Sequence, residues 1–138
     1  MMTALELSDP AVLLYAIAVA AASIYFPYLF VAYARFRIGY DLSAPRAMFD
    51  KLPPYAQRAA WGHQNALESF MPFAAAALIV YVVGVSSPWA SAAAVTFVVA
   101  RWLHAIFYIL DVALLRSASF VVGGLATLVL FVLGLLAA

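Results

Sequence analysis

The sequence predicts an all-α membrane protein, a bundle of four transmembrane helices. Three observations predict it. Of 138 residues, 69% are hydrophobic and 9% charged, with a mean hydropathy of +1.07. A soluble domain sits near half apolar and a quarter charged, so the solvent implied here is lipid. The apolar residues fall into four runs, each near the roughly 20 helical residues that cross a hydrocarbon core of about 30 Å. Between the runs, the basic residues gather at one end.

The first run spans about 11–35 and is preceded by Ser8-Asp9-Pro10, a capping residue and then proline in the first helical turn. Pro27 lies inside it and is expected to kink it, because proline lacks the N–H that a helix interior uses. The second runs from about Pro54 to Gly84, polar in its first half and aliphatic from Phe73 onward. The third, about 88–115, follows the turn Val85-Ser86-Ser87. The fourth, about 117–136, starts at Ser117, a plausible N-cap, and carries Gly123, Gly124 and Gly134, which permit close helix approach. No internal repeat divides the chain, and one domain is expected over 1–138. The N-terminal MMTALELSDP lacks a basic region and the run after it is too long for a signal sequence, so none is expected.

Charge sets the orientation. Arg35, Arg37, Arg46, Lys51, Arg58 and Arg116 fall on one side, leaving Arg101 as the seventh basic residue. The positive-inside rule puts that side in the cytoplasm, with the loop 36–53 and residue 116, and both termini outside. Glu6 and Asp9 flank the outer end. A net charge of +1 argues against a nucleic-acid partner. The absence of cysteine excludes disulfides, a cysteine nucleophile and thiolate metal sites, and two histidines without metal-ligand spacing leave no metal expected.

The functional signal is the stretch Arg58–Pro72, RAAWGHQNALESFMP, a polar block on the same helix as an aliphatic run. Such groups are costly in lipid unless they face a partner or a site. Arg58, Asn65, Glu68 and Pro72 fall at spacings of 7, 3 and 4, one stripe on one helix face. Arg101, His104, Tyr108 and Asp111 make a second stripe on the third span at 3, 4 and 3. Glu68 lies roughly 24 Å below the outer end of its helix and Arg101 roughly 20 Å below its own. The two stripes are therefore expected to face each other across a Glu68–Arg101 ion pair, lining a basic cavity open at the inner face. A deep arginine needs a counter-charge, and that pair reads as structural before it reads as a ligand contact. Taken alone, Tyr108 is as much a packed aromatic as a ligand contact, Arg116 is a topology anchor, and Asp111 joins a charge network with Arg116 or Arg35. His63 falls off the Asn65 stripe and reads as a helix-packing residue.

The pattern Arg58-Ala59, His63-x-Asn65-x-x-Glu68 and Pro72-Phe73, with Arg101-x-x-His104-x-x-x-Tyr108 and Arg116-Ser117 after it, resembles the MAPEG family, membrane-associated proteins in eicosanoid and glutathione metabolism. The likeness covers nearly the whole chain and is nearer the bacterial branch than the eicosanoid synthases. It implies a homotrimer in a bacterial inner membrane. Glutathione would be co-substrate, held between subunits near the cytoplasmic side. Lipids and a lipophilic small-molecule substrate would be the other partners. Carried over residue by residue, Asn65 and Glu68 contact glutathione from one subunit and Arg35 reaches one of its carboxylates. His104, Tyr108 and Ser117 contribute from the neighbouring subunit, where Arg116 is the catalytic residue that stabilises the thiolate. The sequence departs from the pattern at Ala60, Trp61 and Gly62, often basic in the family, at Gln64, an arginine in some members, and at Phe120, a tyrosine in some. These departures remove cations that would bind glutathione's carboxylates. The expected function is thus a glutathione transferase or peroxidase acting on lipophilic electrophiles or hydroperoxides. The alternative is a non-catalytic protein of the same fold that binds a lipid or other anionic ligand in the cavity.

Overall fold

The computed structural model describes residues 8–138, so Glu6 of the acidic outer flank lies outside the described residues. The elements are α1 (Asp9–Ser23), α2 (Tyr25–Ile38), a 3-10 helix (Pro45–Lys51), α3 (Pro54–Val83), α4 (Pro88–Ile109) and α5 (Ala113–Ala137). Four stretches are long and apolar enough to cross a membrane: Asp9–Ile38, Pro54–Val83, Pro88–Ile109 and Ala113–Ala137.

The first stretch is two helices joined at Ile24. Pro27 offers no N–H to the carbonyl four residues back, that of Ser23, and the helix breaks beside it. The Ser23 hydroxyl turns back to the Ala20 carbonyl at 2.7 Å. His63, from α3, donates through Nδ1 to the Ile24 carbonyl at 2.8 Å and packs against the rings of Tyr25 and Tyr28. Its role is thus to seat α3 against the break.

Two turns end helices with left-handed residues. At Gly84 (φ 77°), the Gly84 and Val85 N–H groups return to the carbonyls of Tyr81 and Val80, which closes α3. At Asp111 (φ 63°), the Asp111 and Val112 N–H groups return to Tyr108 and Phe107 and close α4 the same way. The α4–α5 junction therefore lies at Leu110–Val112, not at Arg116–Ser117 as expected. Aspartate tolerates the left-handed conformation, so the stop needs no glycine. Ser117 consequently sits in the second turn of α5, exposed, and caps nothing.

The packed interior has two apolar parts with a polar belt between them. Toward the α3–α4 turn, Leu13, Ala16, Ala77, Val80, Ala94 and Leu130 surround Phe73 and Phe97, whose rings stack at 3.8 Å and 3°. Toward the basic end, Val31, Ala34, Leu52, Ala56 and Ala59 form a second cluster. Most of these are alanines, which bring helix backbones close and substitute dispersion for the hydrophobic drive that lipid does not provide. At the end away from the basic residues, the Asp9 carboxylate accepts from the hydroxyls of Ser86 and Ser91 at 2.8 and 2.7 Å, tying α1 to the start of α4.

Two glycines of α5 mark where it meets its neighbours. A Cβ on Gly134 would lie 2.7 Å from Ile79 Cγ2 and 3.3 Å from Val80 Cγ2, so α5 presses against α3 there. About three turns earlier on the same face, Gly123 meets Arg101, Ala100 and Phe97 of α4. The helix thus crosses from α3 onto α4, and a gap opens between α3 and α5.

A buried arginine in an intramembrane crevice

That gap is a crevice of about 340 Å³. Asn65, Glu68 and Pro72 line it from α3, Phe97 and Arg101 from α4, and Phe120, Gly124 and Thr127 from α5. Pro72 contributes more than shape, since it has no N–H for the Glu68 carbonyl and leaves that oxygen without its helical donor in the crevice wall.

Arg101 is the buried charge in this crevice. It is 4% exposed, and its Nη2 donates to Asn65 Oδ1 at 2.7 Å. Its Nε is buried without a hydrogen-bond partner. The expected ion pair with Glu68 is absent. Glu68 is exposed and accepts from the Gln64 amide at 3.1 Å, one turn along its own helix. Asn65 and Glu68 are one helical turn apart, and the shorter asparagine already meets the guanidinium from the buried side. Both residues still border the same crevice as Arg101. A cation at membrane depth is therefore held by a neutral amide, with a carboxylate at the rim.

Farther toward the basic end, His104 is 3% exposed and donates through Nδ1 to the Arg116 carbonyl at 2.9 Å. Its Nε2 is buried without a partner. The Arg116 guanidinium carbon lies 4.7 Å from the centre of the Tyr108 ring, a cation–π contact that links the end of α4 to the start of α5. His104 also packs edge-on against Tyr108 and beside Phe120. So Arg101, His104, Tyr108 and Arg116 follow one another down the α4–α5 seam.

Other expected members lie elsewhere. Arg58 does not reach the crevice. Its Nε and Nη2 donate to the Ile109 carbonyl, each at 3.2 Å, and its Nη1 lies 3.8 Å from Asp111 Oδ2, the one ion pair among the described residues. Asp111, past the helix end and exposed, thus pairs with Arg58 rather than with Arg116 or Arg35. Arg58 also satisfies a terminal carbonyl of α4, where a positive charge is favoured by the helix dipole. Ser117 borders nothing in the crevice. Arg35 is buried, but beside a second cavity bordered by α2, the 3-10 helix and α3. Within one protomer it does not meet Asn65, Glu68 or Arg101. Sequence reasoning missed the α5 wall of Gly123, Gly124 and Thr127. The spacing of Gly123 and Thr127, one turn apart, was the available signal. No group of metal-ligating side chains occurs among the described residues.

No curated protein and no solved structure gives a match. A sequence model of the MAPEG family matches residues 12–136, nearly the whole chain. With four stretches able to span a bilayer and this match, the chain is a multi-pass membrane protein that belongs to the MAPEG family.

Proposed function

We propose that this protein is a membrane glutathione transferase or peroxidase, working as a homotrimer on lipophilic electrophiles or hydroperoxides that arrive from the bilayer. One observation carries the reading. A buried guanidinium, unpaired by any carboxylate within ion-pair distance among the described residues, borders a crevice at membrane depth. Polar groups in that position are expensive and mark sites.

The residues present fit a small polar thiol. Arg101 Nε and His104 Nε2 are buried and unpartnered, a donor and an acceptor without protein ligands. Asn65 and Glu68 of one subunit, with His104, Tyr108 and Ser117 of the neighbouring one, would hold the molecule between subunits, and Arg116 of that neighbour would lie alongside its sulfur. Bound there, glutathione supplies the nucleophilic thiolate. A free thiol, with a pKa near about 8.5, is mostly protonated at neutral pH, and an adjacent guanidinium favours the ionised form. The chain's own contribution is a preorganised positive charge and proximity, not a covalent nucleophile. Arg35 faces the other cavity and is left out of this reading. Glu68 and Gln64 are exposed midway along α3 in the protomer, which supports burial of this flank against a neighbouring subunit. This reading puts the protein in a bacterial inner membrane with its basic end toward the cytoplasm, an orientation that the charge distribution supports.

A second reading is a non-catalytic member that holds a lipid or other anion in the crevice. It is favoured by Trp61 and Gln64, where cations for carboxylates are lost, and by the stacking of Arg116 on Tyr108. Titration of detergent-purified protein with glutathione separates the two. The enzyme reading expects micromolar to low-millimolar binding, appearance of thiolate absorbance in the ultraviolet, and loss of that absorbance in Arg116→Ala. Binding without thiolate formation, or no binding at all, refutes it.

A further inference from the structure

The crevice between α3 and α5 is graded along its length. Asn65, Glu68 and Arg101 border the end nearer the basic residues, and Pro72, Phe97, Gly124 and Thr127 wall the other. Pro72 and Gly124 are exposed, so the apolar end is open along one side at bilayer depth. A volume of about 340 Å³ suits a molecule at the small end of the ligand range.

Most polar groups around this space are already spent. The Ser69 hydroxyl donates to the Asn65 carbonyl at 2.8 Å and the Thr127 hydroxyl to the Gly123 carbonyl at 3.1 Å, so neither has a proton to give. The side-chain oxygen of Asn65 is taken by Arg101 Nη2. One donor and one acceptor stay free. The donor is Arg101 Nε, buried without a partner in a side chain that is 4% exposed. The acceptor is the Glu68 carbonyl, which lacks its helical donor because residue 72 is proline. A guanidinium N–H buried in this state costs stability unless a ligand completes it.

The molecule that fits is apolar, with one small group that both accepts and donates. Among the lipophilic acceptors considered above, an unsaturated carbonyl compound only accepts, and an alkyl halide does neither well. An organic hydroperoxide does both, from adjacent oxygens. We infer that the crevice binds a lipophilic organic hydroperoxide and that Arg101 is a catalytic residue, donating through Nε to the carbon-bound oxygen while the Glu68 carbonyl accepts from the terminal O–H. The apolar body lies along Pro72, Phe97 and Gly124. The inference rests on the thiolate reading above, which puts the thiol against Asn65 and Glu68 at the same end of the crevice.

The thiolate sulfur attacks the terminal oxygen. An S–O bond forms and the O–O bond breaks. Its electron pair leaves on the carbon-bound oxygen, where the Arg101 guanidinium meets the developing charge. That alkoxide takes up the proton the thiol lost on ionising and departs as an alcohol. A second glutathione then attacks the sulfenic acid. An S–S bond forms, the S–O bond breaks, and the hydroxyl leaves as water with the second thiol's proton. Sulfur is oxidised and the hydroperoxide reduced by the same electron pair.

Detergent-purified protein with glutathione tests this, using cumene hydroperoxide, hydrogen peroxide and iodoacetamide, whose leaving iodide needs no hydrogen bond. Thiolate absorbance is read alongside. Arg101→Met is expected to lower kcat with cumene hydroperoxide at least about a hundredfold more than it lowers capture by iodoacetamide, the scale of one lost oxyanion donor. Gly124→Leu fills the apolar end without touching the guanidinium, since a Cβ there meets nothing within 4 Å. It is expected to raise KM for cumene hydroperoxide at least about tenfold relative to hydrogen peroxide. Arg101→Met that spares kcat, or that lowers iodoacetamide capture equally, overturns the inference. So does Gly124→Leu that treats both peroxides alike. Absence of thiolate in the unsubstituted protein refutes the thiolate reading itself, whereas thiolate formation with any of these contrary results refutes this inference alone.

Discussion

Removing Asn65 should expose how the buried Arg101 is stabilised. Asn65→Leu deletes the acceptor that lies 2.7 Å from Nη2 and leaves a guanidinium that is 4% exposed without a partner. A hydrogen bond to a charged group is worth about 1.5–3 kcal/mol in water-soluble proteins. Polar couplings in bilayer proteins average nearer about 0.6 and reach about 1.7 kcal/mol. The short distance and the burial of the guanidinium put this pair at the upper end, so Asn65→Leu should cost about 2 kcal/mol. Arg101→Met should cost less, because the half-buried amide it strands can turn elsewhere. In the double variant both polar groups are gone, and the cycle should show a coupling of about 1–2 kcal/mol. Glu68→Gln is the control. That carboxylate meets only the exposed Gln64 amide, so its change should stay within about 0.5 kcal/mol. The assay is unfolding of detergent-purified protein followed by intrinsic tryptophan fluorescence. Additive single effects, with Glu68→Gln as costly as Asn65→Leu, would mean the guanidinium is paired with Glu68 and would refute the geometry.

Gly134→Ala should destabilise by about 1–3 kcal/mol despite the better helix propensity of alanine, since its Cβ meets Ile79 Cγ2 at 2.7 Å, whereas Gly124→Ala, in open space, should be neutral or stabilising; thermal unfolding of both checks this. At the α4–α5 turn, Asp111→Val should cost about 1 kcal/mol or more for a branched residue at φ 63°, while Asp111→Gly should stay near neutral, losing only a long, exposed contact to Arg58. His63→Phe keeps the ring contacts with Tyr25 and Tyr28 but drops the bond to the Ile24 carbonyl, and amide exchange around Ile24 should speed up. For the site itself, Arg116→Lys should retain part of the thiolate signal that Arg116→Ala loses, because charge is kept and the planar fork is not.

The apolar runs made the spans readable, since length and hydropathy are local properties, and Pro27 made the break in the first span readable for the same reason. Arg101 was readable as a charge in need of company. Which residue supplied it was not, because Asn65 and Glu68 differ by a single helical turn and the choice depends on the rotation of α3 in the bundle. The α4–α5 junction was misplaced because nothing in Leu110-Asp111-Val112 announces a stop. Aspartate there holds a conformation usually left to glycine, and its N–H bonds are made only once α4 has formed. His63 was legible as a packing residue from its angle to the Asn65 stripe. The company Arg35 keeps was not, because the 3-10 helix folds a distant part of the loop back beside it.

The crossing of α5 has a further consequence. Its pivot is the glycine contact with Ile79, and the crevice is the open angle on the far side of that pivot. The void opens beside Gly123 and Gly124, away from the contact itself. Trimming or enlarging single residues along its walls should reshape the space without closing it. Bulk introduced at the pivot, remote from every polar group in the crevice, should change the angle and with it the spacing of Asn65, Arg101 and Phe120 together.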